Sequence, residues 1–486
     1  MNLPPLLLVA LFATNAAWSS VHPTQVSENG RFLETSDGQP YFWLADTAWS
    51  LFHHLDREEA TVYLEKRSEQ GFNVVMAVAL AEPDGLRTEN AYGELPLHDL
   101  DPSRPNEAYF EHIDFVVAKA NELGITIGLL PTWGDKFNLK WGVGPEVFDP
   151  QNAFDYGQFI GSRYADTSVV WILGGDRSPE SQAHLDIIHA MARGIQAGDH
   201  RGHLMTYHPQ GHRSSSLYFH ESDWLDFNLH QSGHGNVDFA NYKATLRDYA
   251  LVPTKPAMDG EPCYEDHPVN WKPELGWFDE FDARRAGYWS ILSGASGHAY
   301  GHHSVWQMWE PGREPISSAR TLWQEAIDYP GARQLGYLRK AFESIPWYDL
   351  SPKSELLVSG PSTGANAVLV AASPDHSTVL AYTPHGESFT IQLPGIKTSK
   401  IDAQWFNPRD GDSQSFEPRT PQVTNLWEFN PPFGTGTRQR LASHPRCTLN
   451  RGRNDADTAL QLYLTPLAIS RPLGAIDIKS NHSPGR

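Results

Sequence analysis

Cysteine is nearly absent. Cys263 and Cys447 are the only two in 486 residues, so no disulfide framework can hold the fold and the core must do so. Positive charge is scarce: 38 Lys and Arg stand against 58 Asp and Glu, a net charge of −20. That balance excludes the basic surface that nucleic acids and anionic membranes require. Long apolar runs are missing as well. Leu6–Phe12 is too short to span a bilayer, and no later segment reads as transmembrane. A neutral substrate, or the neutral part of a larger one, fits this chain, and neither a cofactor nor a catalytic metal is expected.

Aromatic residues are plentiful at 12%, with 16 Trp. Flat apolar rings suit the C–H faces of sugars, although Trp is also an ordinary core residue. The opening MNLPPLLLVALFATNAAWSS has the form of a secretory signal. Its apolar h-region is Leu6–Phe12, and Thr14-Asn15-Ala16 or Asn15-Ala16-Ala17 offers a small-residue cleavage site. Lys and Arg are missing ahead of the h-region. The expectation is an exported protein, periplasmic or extracellular, with 1–20 as the signal.

The length exceeds one ordinary core and implies a large barrel plus a further module. Eight apolar, β-rich runs recur: Tyr41–Thr47, Phe72–Leu80, Thr126–Trp133, Val169–Asp176, His203–Pro209, Asp226–Gln231, Pro256–Pro262 and Gly297–His303. Several are apolar nearly throughout, as strands buried on both faces should be. Helical patterns alternate with them. Asp56 with Glu59 forms a capping-box signature, and Gly71 ends that helix. Asn106 caps the next, whose stripe is Phe110, Ile113, Val117 and Ala120, and Gly124 stops it. The pattern predicts an α/β (β/α)8 TIM barrel over 21–348.

After Pro346 the texture changes. Val379–Tyr382 and Phe389–Leu393 read as short strands punctuated by Pro374-Asp375, Pro394-Gly395 and Asp410-Gly411, predicting a small antiparallel β-sandwich over 349–436. Residues 437–486 reverse the charge, with eight Lys and Arg against three Asp and Glu. Their weak periodicity predicts a basic, poorly ordered tail.

In such a barrel the functional residues sit at the C-terminal ends of the strands. Those ends are Asp46, Trp133, Asp176, His208, Gln231, Glu261, Tyr300, His302 and His303. In VVWILGGDRSPE (Val169–Glu180) two glycines place Asp176 at the end of a buried strand. A carboxylate there can cap a helix. Ser178 followed by Pro179 is the better cap and start, which leaves Asp176 for chemistry. In DGEPCYE (Asp259–Glu265) three carboxylates occupy seven residues, and the apolar lead-in and Pro262 fix Glu261. Two carboxyls across a cleft are what glycoside hydrolysis needs, one as proton donor and one as nucleophile or base.

Other candidates carry two readings. Asp46 either holds sugar hydroxyls or caps a helix; Trp49 flanks the same strand end. Trp133 floors a sugar subsite or packs. His208, Gln231, Glu265, Tyr300 and His302 are substrate-binding candidates, each also readable as a satisfied structural side chain. His298, His302 and His303 match no standard zinc spacing. If an anionic part of the substrate approaches, Lys136, Arg87 or Arg177 would have to meet it.

The stretches FWLADTAWSLFHHL (Phe42–Leu55), GFNVVMAVAL, WILGGDRSP, DGEPCYE and GASGHAYGHHSVWQMW (Gly294–Trp309) resemble the apiosidase-like glycoside hydrolases of family 140. Those proteins join a barrel to a sandwich of the collagen-binding type, and the resemblance covers roughly 27–436. It implies a retaining glycosidase acting on a carbohydrate of plant or algal origin, apiose on a pectic side chain by the family analogy. The family's acid/base falls on Asp176 and its nucleophile on Glu261. One departure stands out: after Asn430-Pro431-Pro432 the family's closing apolar strand is not evident, as in a frameshifted or replaced C-terminus. The rival classes are a non-catalytic glycan- or collagen-binding protein, which would bind without turnover, and a metal-dependent barrel hydrolase, which a chelator would inactivate.

Overall fold

The structure, a computed structural model, describes residues 21–393, 402–418, 425–432 and 457–463. The expected signal, 1–20, lies outside them. Eight parallel strands form a barrel: β1 (Trp43–Thr47), β2 (Val74–Leu80), β3 (Thr126–Thr132), β4 (Val169–Gly174), β5 (Met205–His208), β6 (Asn228–Gln231), β7 (Ala257–Asp259) and β8 (Gly297–Tyr300). Each lies within one of the eight sequence runs. β1 pairs with both β2 and β8, placing Tyr300 beside Asp46. Among the described residues no ladder joins β5 to β6. That seam is closed by Asp226 N–H donating to Met205 O at 2.8 Å and Thr206 Oγ1 donating to Phe227 O at 2.6 Å.

The strand parity sorts the core. Trp43, Ala45, Met76, Ile172 and Ala299 pack inside the barrel. Alternate residues such as Leu44 and Tyr300 pack outward against the surrounding helices. Helix α1 (Arg57–Glu69) starts with the capping box, Glu59 N–H donating to Asp56 at 2.8 Å and Asp56 N–H to Glu59 at 3.1 Å. In α2 (Glu107–Glu122) the expected stripe is buried.

The helix after β4 differs in its start. It is α3 (Gln182–Gly198), capped by Ser181, whose hydroxyl accepts from His184 N–H at 3.2 Å. Ser178 is therefore not the cap and Pro179 is not its first residue. A longer loop intervenes, and Asp176 is free of capping all the same.

Two antiparallel sheets follow. The larger runs in the spatial order Ser351–Pro352, Leu369–Ala372, Thr378–Thr383, Thr458–Tyr463, Asp402–Phe406, Ser413–Phe416. The smaller contains Leu357–Ser359, Phe389–Gln392 and Leu426–Phe429. Within the stretch expected to be mostly poorly ordered, Thr458–Tyr463 is instead an inner strand paired on both sides. Leu460 and Leu462 are buried in the sandwich core beside Trp405 and Phe429. A closing strand is present, and its distance in sequence from Pro432 hid it. The rest of the expected tail lies outside the described residues.

The same segment ties sandwich to barrel. Asp457 accepts from Arg284 Nη2 at 2.8 Å and from Tyr382 OH at 3.0 Å. Arg284 belongs to α4 (Glu280–Leu292), from which Tyr288 also stacks on Tyr382 with ring centroids 4.6 Å apart. Both charged partners are fully buried, so each needs the other.

Candidate active site

The C-terminal ends of the strands open into a cavity of about 600 Å³. Asp176, Glu261, Glu82, Trp49, Trp133 and Gln231 line it, with Trp141 and Trp271 from the loops.

Asp176 owes its position to unusual backbone. Gly174, Gly175 and Asp176 all have positive φ, at 93°, 100° and 50°. A Cβ on Gly174 would lie 2.5 Å from His208 O, and one on Gly175 2.9 Å from Trp133 Cα. Both positions demand glycine for space as well as conformation. Asp176 itself is a strained non-glycine residue, as is common at functional sites. Its Oδ2 accepts from Trp141 Nε1 at 2.9 Å and lies 3.4 Å from Arg177 Nη1. The Arg177 guanidinium rests on the Trp141 ring, 4.0 Å from its centroid.

Glu261 sits between two imidazoles. His234 Nε2 lies 3.0 Å from Oε1, and His208 Nε2 lies 3.0 Å from Oε2. Local hydrogen bonds fix both tautomers. His208 Nδ1 accepts from Asp176 N–H at 3.0 Å, and His234 Nδ1 accepts from Tyr264 N–H at 3.4 Å. With Nδ1 of each ring occupied as an acceptor, Nε2 is the nitrogen that carries a proton toward Glu261.

These surroundings drive the two carboxyls apart. Burial, and then the nearby Glu261 charge, pushes Asp176 up to about 6. Burial also pushes on Glu261, but the two imidazoles beside it, His208 at 3.0 Å and hydrogen-bonded His234, outweigh it and hold that carboxyl well below its usual range. Of the two, Asp176 holds its proton more readily than an ordinary carboxyl and Glu261 less readily, a difference set by their surroundings. A third carboxyl, Glu82, lies 3.4 Å from Arg177 Nη2 and is pushed up to about 7 by burial and then by Asp176.

The other strand-end candidates divide. Trp49 and Trp133 meet with ring centroids 5.1 Å apart, and Trp49 Nε1 donates to Tyr264 OH at 3.0 Å. Both line the cavity, as does Gln231. His208 acts behind the wall, on Asp176 and Glu261. Asp46, Glu265, Tyr300 and His302 do not line it. Asp46 is fully buried on Arg67 Nε at 2.6 Å and on Tyr63 OH. Glu265 accepts from Tyr300 OH at 2.6 Å and from Gly331 N–H at 3.0 Å, and burial pushes it up to about 8. His302 caps a helical turn, Nδ1 accepting from Ser304 N–H at 3.1 Å. Asp46 and Tyr300 sit on the outward parity of β1 and β8, so these side chains brace barrel to helices.

The cations offered for an anionic substrate are also committed. Lys136 is buried, its Nζ 2.7 Å and 2.8 Å from the Asp135 oxygens. Arg177 is buried, and Arg87 pairs with Asp84 at 2.8 Å. His298 and His303 have partners of their own, Ser290 Oγ and Ser317 O, each at 3.0 Å. Sequence reasoning missed Glu82, Trp141, Tyr264 and Trp271. All four lie off the strands, where periodicity carries no signal.

Residues 27–349 match the family described as "Apiosidase-like, catalytic domain", and 352–440 match the "Putative collagen-binding domain of a collagenase". Two solved structures align with nearly the whole chain. One, a glycoside hydrolase, is 26% identical, with a TM-score of 0.79 over 91% of this chain and 97% of its own. The other, a glycoside hydrolase family 5 protein from Bacteroides vulgatus ATCC 8482, is 27% identical, with a TM-score of 0.79 over 91% and 93%. No curated protein matches. Among the described residues no helix is long and apolar enough to cross a membrane.

Proposed function

Since the chain belongs to the apiosidase-like catalytic family and is a glycoside hydrolase, we propose that Asp176 and Glu261 are its catalytic pair in a retaining mechanism. The observation that carries this is the opposite displacement of two carboxyls in one cavity, Asp176 upward and Glu261 downward. Ionised Glu261 attacks the anomeric carbon. The glycosidic C–O bond breaks as Asp176 gives its proton to the leaving oxygen, and a glycosyl ester on Glu261 results. Asp176, now a carboxylate, then takes a proton from water, whose oxygen attacks the anomeric carbon and releases Glu261. The His208 and His234 protons stabilise the Glu261 carboxylate before attack and after release.

The family likeness supports apiose on a pectic side chain as the sugar released, and the opening twenty residues support export. The test is product analysis on pectic side chains and neutral plant and algal glycans, with Glu261→Gln in parallel. Apiose released by the wild type and not by the variant supports both substrate and nucleophile. Another sugar keeps the mechanism and replaces the substrate. Equal release by the variant removes Glu261 from the chemistry.

A further inference from the structure

Backbone strain gathers around the cavity. Besides Asp176, the lining residues Asn270, Trp271 and Ser317 have φ of 50°, 62° and 47°. For a ring as bulky as Trp this conformation persists only where the surroundings enforce it. Here they do. Asn270 N–H donates to His234 O at 2.7 Å, Trp271 N–H to Pro268 O at 3.0 Å, and Val269 N–H to Gly276 O at 2.9 Å.

The strain is not spent on burial. Trp271 is 49% exposed, whereas Trp49, Trp133 and Trp306 in the same wall are nearly covered. Trp271 instead stands edge-to-face with buried His267, ring centroids 4.4 Å apart. His267 in turn stacks on His234 at 4.2 Å and 22°. His234 is the residue that holds Glu261. The exposed indole is thus anchored to the part of the site that fixes the proposed nucleophile. Trp141, the other exposed Trp of the lining, is already engaged by Arg177 and by Asp176.

We propose that Trp271 is a sugar-binding platform: a pyranose ring of the substrate lays its apolar C–H face on the indole, so the enzyme takes a glycan of two or more rings. The assignment rests on the catalytic pair proposed above. A covered aromatic face of this kind is worth about tenfold in affinity or less. Fixing the ring in advance spares the entropy of ordering it on binding.

The test uses full-length Glu261→Gln protein, with and without Trp271→Ala, titrated against a panel of pectic and neutral plant oligosaccharides of two to six rings. Trp271→Phe is measured alongside. Weakening of about tenfold in the Ala variant, partly restored by Phe, supports the platform. Unchanged affinity, or no binding to any of the panel by the parent, overturns it. In the wild-type background the loss should fall on KM for the oligosaccharide that is cleaved, with kcat nearly kept. An equal fall in kcat would make Trp271 a structural prop of His234 and overturn the platform. Failure of the catalytic pair is read separately, from activity that survives in Glu261→Gln.

Discussion

His208 connects the two carboxyls of the cavity: Nδ1 accepts from Asp176 N–H at 3.0 Å, and Nε2 lies 3.0 Å from Glu261 Oε2. One imidazole therefore fixes the backbone that presents one carboxyl and supports the charge of the other. The glycines before Asp176 make this possible, because a side chain at Gly174 would strike His208 O.

The pH dependence of kcat/KM should be bell-shaped. In the proposed mechanism Glu261, held down by its two imidazoles, must be ionised and sets the acid limb below the usual carboxylate range. Asp176, pushed up by burial and by the Glu261 charge, must hold its proton and sets the alkaline limb above that range. Trp141 donates to the charged form of Asp176, so Trp141→Phe should move the alkaline limb upward. A pH–rate profile of both proteins checks the sign.

Asp176→Asn and Glu261→Gln should each lower kcat by roughly a thousandfold or more, with melting temperatures close to the wild type. His208→Ala should also slow turnover, since Glu261 loses one of its two supporting imidazoles. Steady-state kinetics with thermal melts separates these effects from unfolding.

The eight barrel strands were legible because they are buried on both faces and read as apolar runs. That Asp176 and Glu261 share one cavity was legible because Gly-Gly-Asp and Asp-Gly-Glu-Pro both follow such runs. Strand ends alone misled for Asp46 and Tyr300. Position 46 shares the parity of outward-packed Leu44, and position 300 is one removed from inward Ala299. Both carry polar groups into a helix-facing network. The closing strand was missed because its pattern lies far from Pro432, and Trp271 because an exposed ring on an irregular loop has no period.

Truncation after residue 436 should destabilise the protein, since it removes an inner strand of the larger sheet and Asp457. Asp457→Ala alone should cost about 3–5 kcal/mol, because it leaves buried Arg284 without its carboxylate. Chemical denaturation of the full chain and both variants measures this.

Glu265 contributes through its neutral form. Its folded value, about 8, lies above the ordinary 4.5, so the contribution is complete below about 4.5 and is lost as pH rises through about 8. Glu265→Gln should flatten the decline in melting temperature between about pH 5 and 9 while leaving kcat/KM nearly unchanged.

The most direct test of the central claim is to find the sugar on the enzyme. Asp176→Ala, with an aryl glycoside whose leaving group needs no proton, should form the glycosyl ester quickly and hydrolyse it slowly. Peptide mapping of the quenched protein by mass spectrometry should then place one sugar on Glu261. An adduct on another residue, or turnover of that substrate with no adduct at any stage, would contradict the account.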